Sequence, residues 1–263
     1  MGEITLYTYA VSQSSEKVRW ALDSAGLPYQ ERRLAPFVHR PLNATATGGL
    51  LSPMPVLEAD GQTLADSTRI LEWLETQRAP FSLIPRDPVV RAAVMGAESR
   101  LDHAGAHLLR WTYAFLLKQP SLALRLWSLD ANPVQALALR AGFPLIKRVF
   151  ERGLGFGAEP MERSRRAIDN AVQELNTAAE AGRSFLAGPG FSVADITAAA
   201  LLAPLACPDE HPIYSRPDYR KAMKAALAPW SQQPGMDWVR STYRRYRQPG
   251  AVEQRILAPV LAA

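Results

Sequence analysis

The sequence predicts an α/β N-terminal domain over residues 1–79 and an all-helical domain over residues 89–263, joined by a linker at 80–88. Three observations carry this. The first eighty residues read in the order β-α-β and then β-β-α. Pro80, Pro85 and Pro88 then interrupt the chain. Beyond them no segment alternates like a strand, while several keep helical spacing.

Ile4 to Tyr9 is β-branched and aromatic, the mark of a strand. Ser12-Gln13-Ser14-Ser15 is a turn of helix-capping residues, with Ser14 and Ser15 the expected N-caps because they adjoin the helical spacing. Val18, Ala21, Leu22 and Ala25 follow at helical intervals, and Gly26 with Pro28 supplies the stop. Tyr29 to Leu34 is a second strand. Ala35 to Ser52 is irregular. Met54 to Glu58 and Gln62 to Leu64 form a hairpin about Asp60-Gly61. Asp66 or Ser67 then caps a helix over Thr68–Gln77, with Ile70, Leu71, Trp73 and Leu74 on its buried side. In the second half, helices are expected over Val89–Leu117, Arg163–Ala181, Phe191–Leu205, Tyr219–Leu227 and Gly235–Tyr246. The third opens on Ser192-Val193-Ala194-Asp195, a capping box with Asp in place of Glu or Gln.

Composition narrows the function classes. The 263 residues are 48% apolar and 21% charged, an ordinary globular balance. No apolar run approaches the ~20 residues that span a bilayer, and residues 1–7 have no secretory pattern. Cys207 is the single cysteine, so no internal disulfide forms. The expected location is the cytoplasm, with no membrane partner. The net charge is +5. The densest basic run, Arg240, Arg244, Arg245 and Arg247, reads as the solvated face of a helix end, so no nucleic-acid partner is expected. His103 and His107 stand at i,i+4 on one helix, yet no third ligand accompanies them, and no metal is expected.

Four motifs resemble the soluble glutathione S-transferase family. The run Ser12-Gln13-Ser14-Ser15-Glu16-Lys17-Val18-Arg19-Trp20-Ala21-Leu22 after Leu6-Tyr7 looks like the first strand–helix turn of theta- and zeta-like bacterial members. Met54-Pro55-Val56-Leu57 is similar to the family's V-P-x-L, whose proline is cis. Asp66-Ser67 matches its acidic-Ser pair, and Phe191 to Ile196 resembles its core-helix capping box. The segment before Pro55 departs from the family pattern, being longer and lacking a lysine. The resemblance implies a thioredoxin-like glutathione-binding domain followed by a helical domain with a hydrophobic substrate cleft, and a homodimer.

It also implies site residues. Ser12 is the expected catalytic group, donating a hydrogen bond to the glutathione sulfur. Tyr9 is the alternative, since some classes use a tyrosine at the end of the first strand. Met54 and Pro55 would hold the cysteinyl backbone as an added strand. Asp66 and Ser67 would receive the γ-glutamyl end, and Gln13, His39 and Arg40 are further candidates. His103, His107 and Trp111 would line the hydrophobic cleft. A free thiol has a pKa of ~8.5, so the chemistry needs the thiolate stabilised, and a helix N-terminus favours an anion. The expected activity is conjugation of glutathione, as co-substrate, to a small hydrophobic electrophile. The alternative is a non-catalytic glutathione-transferase-like binding or scaffolding protein. The altered loop favours the second; Ser12, Pro55 and Ser67 favour the first.

Overall fold

The computed structural model describes residues 3–35, 54–77, 83–247 and 255–257. The candidates His39 and Arg40, and the altered loop before Pro53, lie outside them. The elements, in chain order, are β1 (Thr5–Thr8), α1 (Gln13–Ser24), β2 (Gln30–Arg33), β3 (Val56–Ala59), β4 (Gln62–Ala65), α2 (Ser67–Gln77), α3 (Pro88–Leu116), α4 (Pro120–Trp127), α5 (Pro133–Leu154), α6 (Ala158–Glu180), α7 (Val193–Ala206), α8 (Pro217–Leu227), α9 (Pro234–Tyr246) and β5 (Arg255–Leu257).

The chain separates into two compact units. One holds Met1–Phe81, Leu124–Ala141 and Pro249–Ala263; the other holds Ser82–Ala123 and Gly142–Gln248. The first is built on a mixed sheet in the order β4-β3-β1-β2-β5. β1 runs parallel to β2 and antiparallel to β3, and β3 pairs antiparallel with β4. Alternation decides which side chains go where. Leu6 faces Leu57 across the β1–β3 ladder, and both are fully buried. Tyr7 faces Val56 and joins Met54 in a second cluster, against which Tyr9, Leu34 and Ala65 pack. The β3–β4 turn has left-handed φ at both Asp60 (49°) and Gly61 (74°), as the Asp-Gly signal predicts. Helices α1 and α2 pack on each other, and both bury apolar side chains, Val18 and Leu22 on the first and Ile70 and Leu74 on the second.

The second unit is helical. α3 packs against α6, α7 and α8, and α9 packs against α6 and α7. At its centre α7 is buried along all its residues, Val193–Ala206. Such a helix has no polar face, and its length of 14 residues places it inside a core. Its first turn is held by Asp195, which accepts from Leu186 N–H at 2.8 Å, Ser192 N–H at 2.8 Å and the Ser192 hydroxyl at 2.9 Å. This is the capping box the sequence predicts. α3 opens on Asp87, whose carboxylate accepts from the Val89 and Val90 N–H groups, with Pro88 in the first turn.

The thioredoxin-like unit and the helical unit agree with the expected fold class, with three corrections. A fifth strand, β5, pairs parallel with β2, matching Gln30 to Arg255 and Arg32 to Leu257. The region 89–263 is therefore not all-helical: a three-residue strand takes its hydrogen bonds from a distant neighbour and has no internal period to announce it. Leu124–Ala141 also groups with the first unit, although the sequence divides the chain once, at 80–88. Finally, α4 and α5 are two further helices that the sequence reading does not separate out.

Candidate functional site

The sheet registers bring three sequence motifs to one end of the first unit. Tyr7 on β1 faces Val56 on β3, and Val56 faces Ala65 on β4. Just beyond this row lie the Tyr9–Ser12 turn, the Met54–Pro55 pair and the Asp66–Ser67 pair. Tyr9 packs on the cluster containing Met54, which ties the first two motifs together directly. Lys17, fully buried in α1, has Nζ 3.5 Å from Oγ1 of Thr68 in α2, which links the helices of the first and third. Two helices begin at this end, α1 after β1 and α2 after β4, so the dipoles of both N-termini favour an anion there.

Ser12 is the N-cap of α1, with φ −85° and ψ 118°. This corrects the expectation that Ser14 or Ser15 caps the helix. The helical hydrogen bonds start one turn earlier, with Glu16 N–H donating to Ser12 O at 3.1 Å. The Ser12 hydroxyl accepts from Ser15 N–H at 3.1 Å. A hydroxyl that accepts keeps its own proton to donate, so capping and donation to a sulfur are compatible. Its neighbour Gln13 is buried.

Asp66 caps α2: its Oδ1 accepts from Thr68 N–H at 2.9 Å. It sits at φ 85°, in the left-handed region, although it is not glycine. Such a conformation costs about 1–3 kcal/mol and concentrates at ligand-binding positions. Asp66 is exposed, whereas Ser67 beside it is buried. The Met54–Pro55 bond is cis, as its motif predicts, and both residues are buried.

Of the two tyrosines at the first strand, Tyr7 on it and Tyr9 just after it, Tyr7 is committed elsewhere: its hydroxyl donates to Glu58 Oε2 at 2.9 Å. Burial and the neighbouring Glu58 raise its pKa against the opposing pull of Arg32. Tyr9 is half-buried just beyond the end of β1, and its carbonyl accepts from Ser12 N–H at 3.1 Å.

The candidates in the helical unit do not form one cavity. His103 and His107 stack edge to face at 4.9 Å and line a groove of about 670 Å³ between α3 and α6. Its other walls mix the charged Arg100, Arg163, Arg166 and Glu174 with the apolar Leu101, Ala104, Ala167 and Ala171. Trp111 leaves it: its Nε1–H donates to Ala226 O at 3.0 Å and its ring packs on Trp230. At 3.6 residues per turn, the i,i+8 step from His103 to Trp111 is a rotation of about 80° around the helix, enough to reach a different neighbour. Among the described residues, no three His, Cys, Asp or Glu side chains come together to hold a metal. Burial pushes the Cys207 thiol up to about 11, so it is not a nucleophile at neutral pH.

Sequence reasoning missed a charged cluster behind the Ser12 turn. Glu16, Lys17 and Arg19 are all buried in α1, and Glu31 is buried on β2. The available signal was the density of charge in a helix flanked by apolar residues, with no polar face left to carry it.

A model described as Glutathione S-transferase, N-terminal domain, matches residues 6–81. Maleylacetoacetate isomerase of Rattus norvegicus is 36% identical over 104 residues, covering 35% of this chain and 44% of the relative. The enzyme of that name from Pseudomonas aeruginosa is 36% identical over 103 residues, covering 35% and 45%. The match thus spans less than half the length of these relatives. Among solved structures, a glutathione S-transferase from Methylobacillus flagellatus with GSH bound superimposes with a TM-score of 0.59 at 16% identity, covering 92% of this chain and 95% of that one. Maleylacetoacetate isomerase from Anaeromyxobacter dehalogenans, with bound GSH, does so at 0.52 and 23% identity, covering 92% and 91%. These likenesses establish the fold. With the domain match over the very residues that bring the three motifs together, residues 6–81 form a glutathione S-transferase N-terminal domain.

Proposed function

We propose that this protein is a glutathione-dependent enzyme that conjugates the glutathione thiolate to a small hydrophobic electrophile. The observation that carries the reading is the meeting of Ser12, Met54–Pro55 and Asp66–Ser67 at one end of the sheet, where two helices begin. Ser12 donates its proton to the sulfur, and the α1 N-terminus adds its dipole. The Met54 main chain pairs with the cysteinyl backbone. Ser67 and the α2 dipole receive the γ-glutamyl carboxylate, and Asp66 faces its ammonium. Each pKa unit by which the site lowers the thiol corresponds to ~1.4 kcal/mol of preference for thiolate. The thiolate attacks the electrophile and forms a C–S bond while the leaving group departs. The reading extends to a cytoplasmic homodimer.

The resemblance to maleylacetoacetate isomerases supports a second outcome from the same site. A thiolate that adds reversibly to an electrophilic double bond permits rotation about it before leaving, and so isomerises it without consuming glutathione. Retention on immobilised glutathione tests the site. A chromogenic electrophile and a cis-configured conjugated diketo acid then separate the activities. Retention with turnover of neither substrate favours a non-catalytic binding protein; no retention removes the site assignment.

A further inference from the structure

The geometry assigns Arg19 a positioning role: it locks the turn that presents Ser12, and so acts on a bound thiol through Ser12 rather than through its own charge. The inference rests on the glutathione reading above.

Arg19 is buried, and its three guanidinium nitrogens reach three separate pieces of chain. Nε donates to Glu31 Oε1 on β2 at 2.5 Å. Nη1 donates to Glu16 Oε2 in the first turn of α1 at 3.0 Å. Nη2 donates to the Tyr9 carbonyl at 3.2 Å. That carbonyl is the same oxygen that accepts Ser12 N–H at 3.1 Å. Glu31 Oε1 also accepts the Thr8 hydroxyl at 2.6 Å, which adds the last residue of β1 to the cluster. The end of the strand, the start of the helix and the neighbouring strand therefore converge on one rigid fork. A lysine carries the charge but cannot reproduce three bonds in fixed directions.

The charges decide between geometry and field. Glu16 and Glu31 stand against Arg19, and Arg33 lies 3.3 Å from Glu31, so two cations face two carboxylates. Burial opposes ionisation of Glu31, but Arg19, Arg33 and the Thr8 hydroxyl outweigh it and hold the carboxyl below its ordinary value. Asp130, which feels the same three charged residues, is raised by burial. Arg19 is thus offset by Glu16 and Glu31 at hydrogen-bond distance, with Asp130 also within electrostatic reach; what it contributes at the turn is the placement of Tyr9 O and hence of Ser12.

The experiment is a double-mutant cycle on the pKa of the bound glutathione thiol, read by thiolate absorbance. It uses wild type, Arg19→Lys, Ser12→Ala and the double variant, with folding checked by circular dichroism. Arg19→Lys is expected to raise the thiol pKa by about one unit when Ser12 is present and to leave it unchanged in the Ser12→Ala background, with little change in glutathione Kd. An equal rise in both backgrounds means that Arg19 acts by its charge and overturns the inference. So does a folded Arg19→Lys protein with the wild-type thiol pKa. Should Arg19→Lys not fold, Thr8→Val enters the same cycle. It removes the hydroxyl from Glu31 and leaves every charge in place. A smaller rise, confined to the Ser12 background, supports the inference, and no rise overturns it. Wild type that fails to bind glutathione, or binds it with an unshifted thiol, overturns the glutathione reading and this inference together.

Discussion

Helices α1 and α7 both begin on a serine and are both buried along most of their length, but they reach burial by opposite means. α7 does so with apolar residues on every side, and its only buried polar side chains are Asp195 and Thr197. α1 carries Glu16, Lys17 and Arg19 into the interior and neutralises the arginine with partners from its first turn and from β2. The serines differ in the same way. Ser192 gives its proton to Asp195. Ser12 accepts from the backbone and keeps its proton. A helix whose polar groups satisfy one another is a piece of the core, whereas one that keeps a donor at its N-terminus is equipped for a ligand. Ion pairing also tells the two apart: hydrophobic packing is non-directional, but buried ion pairs hold only in one geometry, which suits a turn that must be placed accurately.

The contrast is tested most severely at Asp195. Asp195→Ala removes three hydrogen bonds and leaves the Leu186 and Ser192 N–H groups buried without an acceptor. The expected loss is about 3–5 kcal/mol of stability, read by chemical denaturation. A loss below about 1 kcal/mol would mean that the α7 cap is incidental. Ser12→Ala comes next and should act on chemistry more than on folding. A lost hydrogen bond to a charged group is worth ~1.5–3 kcal/mol, so kcat at neutral pH should fall about tenfold to a hundredfold while glutathione affinity stays nearly intact. Tyr9→Phe should do much less; the reverse ranking would make Tyr9 the donor.

Gly105→Ala tests how tightly α7 is enclosed. A Cβ at Gly105 would lie 2.8 Å from Leu201 Cδ1 and 3.4 Å from its Cγ, so the leucine must move. About 1–3 kcal/mol of overpacking is expected, visible as a lower Tm with unchanged glutathione binding. The smallest effect concerns acid. Burial, followed by His103, Arg110 and Arg163, lowers the pKa of His107. The unfolded chain therefore takes up this proton before the folded one. The contribution is fully present above the ordinary histidine value of about 6.5 and is lost as pH falls through the folded value. His107→Gln should flatten the fall of Tm over that acidic range; an unaltered profile would assign the acid sensitivity to other groups.

Elements whose signals are local can be read directly from the residues. The Asp60-Gly61 turn and the Ser192-Asp195 helix start each lie within a few residues, and turn chemistry or capping makes them legible; the Met54-Pro55 motif is legible through its resemblance to a family pattern. Of the site, Ser12, Met54, Pro55, Asp66 and Ser67 were legible as separate motifs. Their meeting at one end of the sheet comes from strand registers that join residues about fifty apart, such as Tyr7 with Val56. Three further features depend on the folded chain. One is the placement of the tail strand, Arg255–Leu257, on β2. Another is the approach of Arg19 to Glu31 and Tyr9 O. The third is the packing of Trp111 on Trp230, away from the groove that His103 and His107 line. The reason is the same in each case. A cap or a tight turn closes its hydrogen bonds within its own few residues, whereas a sheet edge or a buried ion pair has no favourable conformation until a distant segment supplies the partner.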